Sequence, residues 1–281
     1  MQIISSPTVL QETCLPWRFA GQKTVLVPTM GYFHAGHESL IAKARKIGDK
    51  VIVSVFVNPS QFGPNEDLAA YPRDFESDVA KAKALGADVI FAPEASAMYD
   101  TNHATWINVE KLDATLCGVT RPSHFRGVCT VVAKLFLLAL PTFAVFGQKD
   151  WQQLAILRRM VHDLHLPVTL VGCPTVREPS GLALSSRNAY LTDAERTMAP
   201  ALSAGLNEAK RLTDAGESSS AALREAVLAF WRGHLPLGEV EYLSIVDPDN
   251  LQALDTITGS ALIAAAVRLG RARLIDNLLL R

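Results

Sequence analysis

The sequence predicts an α/β protein: a doubly wound parallel-sheet domain followed by a smaller α+β domain. Two observations carry this. Short, apolar, β-branched runs alternate with amphipathic segments of helical length through the first part of the chain. Around residue 176 the texture changes to a polar, turn-rich loop, then to helices, then to strands. The first-part strand candidates are residues 24–27, 51–57, 88–91, 142–146 and 168–171. They read as strands buried on both faces. Between them, Leu40, Ile41, Ala44 and Ile47 recur at helical spacing, as do Phe75, Val79, Ala82 and Leu85 in segment 74–85. Segments 127–139 and 150–164 carry similar stripes. This alternation gives a Rossmann-like domain over residues 1–176. Beyond the loop, Thr192 and Glu195 form a capping-box pattern that opens a helix, and a second helix covers about 219–231. Strand candidates follow at 239–246, 261–267 and 273–279. The first of these alternates, which suits a half-exposed antiparallel sheet. They define a smaller domain over 177–281, expected to act as a lid on the first.

With 281 residues, 49% hydrophobic and 20% charged, the chain can bury a sizeable core. A net charge of −1 gives no bulk signal for nucleic acid or an anionic membrane. Cys14, Cys117, Cys129 and Cys173 form no C-x-x-C pair and read as free thiols in a reducing compartment. The residues after Met1 lack the pattern of a signal peptide. The most apolar helix candidate, 131–140, contains Lys134 and is too short to span a bilayer. The expectation is a soluble cytoplasmic protein with no nucleic-acid or membrane partner.

Ligands of doubly wound sheets bind beyond the carboxyl ends of the strands. Three polar clusters fall there. The first is Met30-Gly-Tyr-Phe-His-Ala-Gly-His37, a turn leading into a helix. A helix entrance offers free N–H groups and partial positive charge to phosphate. His34 and His37 add donors, and Gly36 lets backbone approach a ligand. A metal pair or a structural cap remain alternatives for the two imidazoles. The second cluster holds Asn58 and Gln61, neutral groups that donate and accept hydrogen bonds toward hydroxyls or a carboxylate. The third is Gly147-Gln-Lys-Asp150, where Lys149 projects at a strand end toward a phosphate and Gln153 follows one turn later. A fourth, Ser185-Ser-Arg187 in the interdomain loop, suits a triphosphate tail.

There is no P-loop, dinucleotide fingerprint, nucleophile elbow or H-E-x-x-H zinc motif. What remains is H-x-G-H, a lysine at a later strand end and an arginine on a loop. These cations suit charge stabilisation at a nucleotide α-phosphate.

On these residues the chain resembles the pantoate–β-alanine ligases, members of the H-x-G-H nucleotidyltransferase group and related in active-site design to class I aminoacyl-tRNA synthetases. The matching motifs are residues 28–37, 56–62, 71–73, 121–127, 146–150 with Gln152 and Gln153, and 185–188. The resemblance implies that ATP and (R)-pantoate form pantoyl adenylate and pyrophosphate, and that the β-alanine amine then displaces AMP. It implies Mg2+ accompanying ATP, no prosthetic group, and a homodimer. Met30, Gly31, His34, Gly36, His37, Gly147, Gln148, Lys149, Asp150, Val176, Leu184, Ser185, Ser186 and Arg187 would bind ATP. Among these, His34, His37, Lys149 and Arg187 would be catalytic. His37 is conventionally labelled a proton donor, yet a group on a leaving oxygen can stabilise charge without transferring a proton. Gln61 and Gln153 would hold pantoate with support from Asn58. Gln61 would also place β-alanine, and Asp78 would lie near the metal. Three departures stand out, one being Gln148 where some members have Glu. Leu184 replaces a usual Met, a swap that keeps volume. Cys117 stands where many members carry Glu, which leaves Arg121 or a neighbouring base in need of another partner. Another H-x-G-H nucleotidyltransferase and a non-catalytic nucleotide-binding protein are the competing readings.

Overall fold

Among the residues the computed structural model describes, 1–64 and 66–280, six parallel strands form one sheet. They are β1 (Gln2–Ile4), β2 (Thr24–Thr29), β3 (Lys50–Val55), β4 (Val89–Phe91), β5 (Phe143–Gly147) and β6 (Thr169–Cys173). Their order is β1-β4-β3-β2-β5-β6. The chain therefore winds outward from β2 in both directions, and the crevice between the carboxyl ends of β2 and β5 is the switch point of the sheet.

The alternation of side chains along β2 explains the two helical layers. Val25 and Val27 face one way, against α2 (Ala35–Ile47) and α3 (Phe75–Ala84), with Ile41, Ala44 and Ala82 in that cluster. Leu26 faces the other way, against α1 (Pro7–Phe19), α6 (His124–Ala139) and α7 (Trp151–Asp163). Two short helices, α4 (Ala95–Met98) and α5 (Cys117–Thr120), fill the connection before α6. Strand β1 and helix α1 escape the periodicity. β1 has three residues at the sheet edge. α1 starts on Pro7, a favourable first helical position, and carries Pro16 internally, which reads as a breaker.

After the loop come α8 (Asp193–Met198), α9 (Ala201–Asp214) and α10 (Ser220–His234). The Thr192–Glu195 capping box forms as expected, but the helix it opens stops at Met198, and Pro200 starts another. Strands β7 (Gly238–Val246), β8 (Leu262–Leu269) and β9 (Ala272–Leu279) make an antiparallel sheet in that order. The half-exposed sheet expected here needs correction at its centre, because β8 is buried along most of its length. Ile263, Ala265 and Val267 face α9 and α10, while Leu262 and Ala264 face Trp151 and Ala155 of α7. The antiparallel sheet is thus sandwiched between its own helices and the larger unit. Two polar ties complete the junction. Asn277 Nδ2 donates to the carbonyls of Gln148 and Lys149 at 3.0 and 2.8 Å, and Trp151 Nε1 donates to the Pro248 carbonyl at 2.8 Å. The turn at the end of β5 is therefore held from both sides.

Candidate active site

The turn after β2 is built by backbone strain and a buried carboxylate. Gly31 has φ +84° and Tyr32 φ +55°, so two successive residues lie in the left-handed region. Asp78, 1% exposed, accepts from the Tyr32 and Phe33 N–H groups at 2.8 and 2.7 Å. Burial raises its pKa against those bonds. The metal role expected of Asp78 does not fit this geometry. Its carboxylate is committed to the turn and is no part of the cavity wall.

That turn delivers His34 to the N-cap of α2. Its Nδ1 accepts from the Gly36 N–H at 3.1 Å, and His37 Nδ1 accepts from the His34 N–H at 3.4 Å. The two rings lie 4.2 Å apart. An imidazole nitrogen that accepts carries no proton, so each neutral ring keeps its hydrogen on Nε2. Both rings stay neutral. Burial, then Lys149 and Lys81, lowers His34 to about 4; burial, then His34 and the same lysines, lowers His37 to about 3. The pair presents two N–H donors with no proton to give at neutral pH.

Across the crevice, the 3₁₀ turn Gln148–Asp150 sets Lys149 and Asp150 at the cavity mouth. Lys149 makes no ion pair with a described residue. The loop after β6 covers this space. Its backbone bonds Leu184 N to Val176 O at 3.0 Å, and Arg177 anchors it by a two-point ion pair to Asp276, at 2.6 and 2.9 Å. A cavity of about 180 Å³ results, lined by Met30, His34, Gly36, His37, Gly147, Lys149, Asp150, Gln153, Val176, Leu184, Ser185, Ser186 and Arg187. The expected nucleotide residues thus converge, with two exceptions. Gly31 shapes the turn, and Gln148 packs beside Gly172 of β6.

A second cavity, also about 180 Å³, continues inward and shares Met30, His37, Gln153 and Arg187 with the first. Its wall includes Asn58 and Gln61. Asn58 is 1% exposed and fully engaged: Nδ2 donates to Gln61 Oε1 and the Gly127 carbonyl, while Oδ1 accepts from Ser60. Gln61 Nε2 points at Met30 Sδ, 3.0 Å away. Asn58 thereby orients an amide donor into a space bounded by Pro28, Phe56, Val128 and Leu135. This suits a small branched molecule with hydroxyl and carboxylate groups.

Two carboxylates of the site, Glu66 and Asp67, carried no local signal. Glu66 holds Arg121 at 2.8 and 2.5 Å, and Asp67 holds Arg187 at 3.0 and 2.9 Å. Tyr71 lines both cavities with the Arg187 guanidinium 5.8 Å from its ring. Burial opposes the Arg187 charge, yet Asp67 keeps its pKa raised. The concern over Cys117 is also resolved. Arg121 has Glu66, and the base beside Cys117 is Arg273, 3.6 Å from Sγ and paired with Glu241 at 2.8 Å. Cys117 Sγ also meets the Tyr242 hydroxyl at 3.2 Å. All four cysteines are free and buried.

Fold and site together define an α/β protein with an H-x-G-H helix entrance, two imidazole N–H donors at the switch point and an amide-walled cavity beneath. The pantoate–β-alanine ligase family model matches residues 2–279, and the chain belongs to that family. A pantothenate synthetase of Nitratidesulfovibrio vulgaris (strain Miyazaki F) is 61% identical over 280 residues, covering 100% of this chain and 99% of the relative. A pantothenate synthetase of Thermus thermophilus superposes with a TM-score of 0.95 at 44% identity, covering 100% and 99% of the two chains. The Francisella tularensis pantoate–β-alanine ligase, solved with a β,γ-ATP compound and β-alanine, gives 0.82 at 32% identity, covering 100% and 98%.

Proposed function

We propose that the chain uses ATP to condense (R)-pantoate with β-alanine, through pantoyl adenylate. The convergence of His34, His37, Lys149 and Arg187 on one cavity, joined through His37 and Arg187 to an inner cavity walled by the Gln61 amide, carries this reading. ATP lies across the entrance of α2 beneath the 176–187 loop. Pantoate occupies the inner cavity, held by Gln61 and Gln153. Its carboxylate attacks the α-phosphorus, the P–O bond to the β-phosphate breaks, and pyrophosphate leaves. Neutral His34 and His37 donate hydrogen bonds to the phosphate oxygens from Nε2. Lys149 and Arg187 neutralise charge developing around the α-phosphate. Losing one such donor typically costs about 3–4 kcal/mol of barrier.

A magnesium ion bound with the triphosphate would supply charge neutralisation there. Among the described residues no three His, Cys, Asp or Glu side chains converge as a cage. Asp150, at the cavity mouth, fits an ion held chiefly by substrate phosphates with one carboxylate. Residues 1–176 and 177–281 are taken as the two units of the enzyme, with the second closing the nucleotide site. A homodimer in the cytoplasm completes the reading. Among the described residues no helix is long and apolar enough to cross a membrane.

A transferase acting on a phosphorylated acceptor would need free cations beside Asn58 and Gln61, and Arg121, which donates to the Gln61 carbonyl at 3.3 Å, is already taken up by Glu66. The test is to incubate the protein with ATP, magnesium, pantoate and β-alanine and follow AMP and pyrophosphate. Pyrophosphate exchange into ATP should require pantoate, and AMP turnover should require β-alanine. Exchange without pantoate excludes the reading.

A further inference from the structure

We propose that His124 is the residue that receives the β-alanine amine, accepting from its nitrogen at Nε2 and taking its proton as the amide forms. The inference rests on the ligase reading above. His124, the first residue of α6, stands on the wall shared by the inner cavity and an adjoining one that reaches Cys117, Tyr242 and Arg273. Its Nδ1 lies 2.8 Å from the Gln61 carbonyl oxygen. A carbonyl only accepts, so Nδ1 carries the hydrogen and the neutral ring leaves Nε2 as a bare lone pair. No described residue bonds that nitrogen. His34 and His37 show the reverse arrangement, with Nδ1 accepting and Nε2 protonated. One active site thus holds two donor imidazoles for phosphate and one acceptor imidazole beside the acid pocket.

The ring is held firmly. It packs edge-on to Phe125 with ring centres 4.8 Å apart. Gly127, one turn on, brings α6 so close that an added Cβ would lie 2.3 Å from the Ser60 carbonyl oxygen. Arg121 and Arg273, which line the adjoining cavity, suit the carboxylate end of β-alanine. Burial and the Arg121 charge hold His124 near a pKa of about 4, so it is unprotonated at neutral pH.

The step balances as follows. β-alanine binds as the free amine, having left one proton in water. Its lone pair forms the N–C bond at the acyl carbon of pantoyl adenylate, giving a positively charged nitrogen with two hydrogens. One hydrogen passes to Nε2, and the C–O bond to phosphate breaks with its electron pair leaving on AMP. The imidazolium, its Nδ1–H still on the Gln61 carbonyl, returns the proton to water.

His124→Asn keeps a donor for the Gln61 carbonyl and removes the acceptor; His124→Gln is a second version. General-base groups contribute about 10²–10⁴-fold. Pantoate-dependent pyrophosphate exchange should stay within about threefold of the parent, β-alanine-dependent AMP formation should fall about 100-fold, and hydroxylamine should still trap the adenylate. If exchange and turnover fall together in both variants, or if neither falls, the proposal is overturned. If the unaltered protein shows no pantoate-dependent exchange, the ligase reading fails instead.

Discussion

The Arg187 guanidinium is bound at two points by the Asp67 carboxylate, Nε to Oδ2 at 3.0 Å and Nη2 to Oδ1 at 2.9 Å. The cation that faces the nucleotide cavity therefore already has an anionic partner. A phosphate must share or displace that carboxylate. Asp67→Asn keeps the volume and removes the competing charge. Calorimetric titration with a non-hydrolysable ATP analogue should show affinity rising about fivefold, about 1 kcal/mol, the scale of a partly exposed ion pair. Unchanged or weaker binding means that Asp67 aims Arg187 rather than competing for it.

Asp67 also marks the boundary of what one-dimensional patterns reveal. The alternation of Val25, Leu26 and Val27 was legible because the sheet is covered on both faces, each by its own helical layer. The H-x-G-H cluster was legible because its parts are local: cap, glycine and second imidazole fall within one helical turn. Asp67 and Arg187 are 120 positions apart, and Glu66 and Arg121 are 55 apart, so only the fold pairs them. Tautomers were illegible for the same reason. The direction in which His124 serves depends on the Gln61 carbonyl, 63 positions earlier. The burial of β8 was missed because the covering residues on α7, Trp151 and Ala155, belong to the other unit.

Three histidines of this site, His34, His37 and His124, are lowered to about 4, 3 and 4 from an ordinary 6.5, in each case chiefly by burial. Depressed histidines resist protonation in the fold but not in the unfolded chain. Between about pH 6.5 and 4.5 the unfolded state binds more protons, so stability falls as pH falls. The window lies above the ordinary carboxylate range. Urea midpoints of the nucleotide-free protein should drop steadily from pH 7 to 4.5, and His37→Gln should flatten the slope. A midpoint indifferent to pH across this window means that the rings are not held neutral by burial.

Gly36 fixes the position of His34 by having no side chain. A Cβ built there would sit 2.7 Å from His34 Cε1 and 2.8 Å from Nδ1, closer than real Cβ atoms approach. The ring must swing away, breaking its bond to the residue 36 N–H. Alanine is otherwise better suited than glycine to a helix, by about 0.5–1 kcal/mol. Stability and catalysis should therefore separate in Gly36→Ala. Its melting temperature should hold or rise, while pantoate-dependent exchange falls about 100-fold or more, the usual effect of losing one preorganised donor. Adding His34→Gln to Gly36→Ala should cost little beyond the single change, because both remove the same interaction. Additive losses would mean that glycine serves the nucleotide directly, by letting backbone N–H groups reach the phosphates, and that His34 acts independently of it.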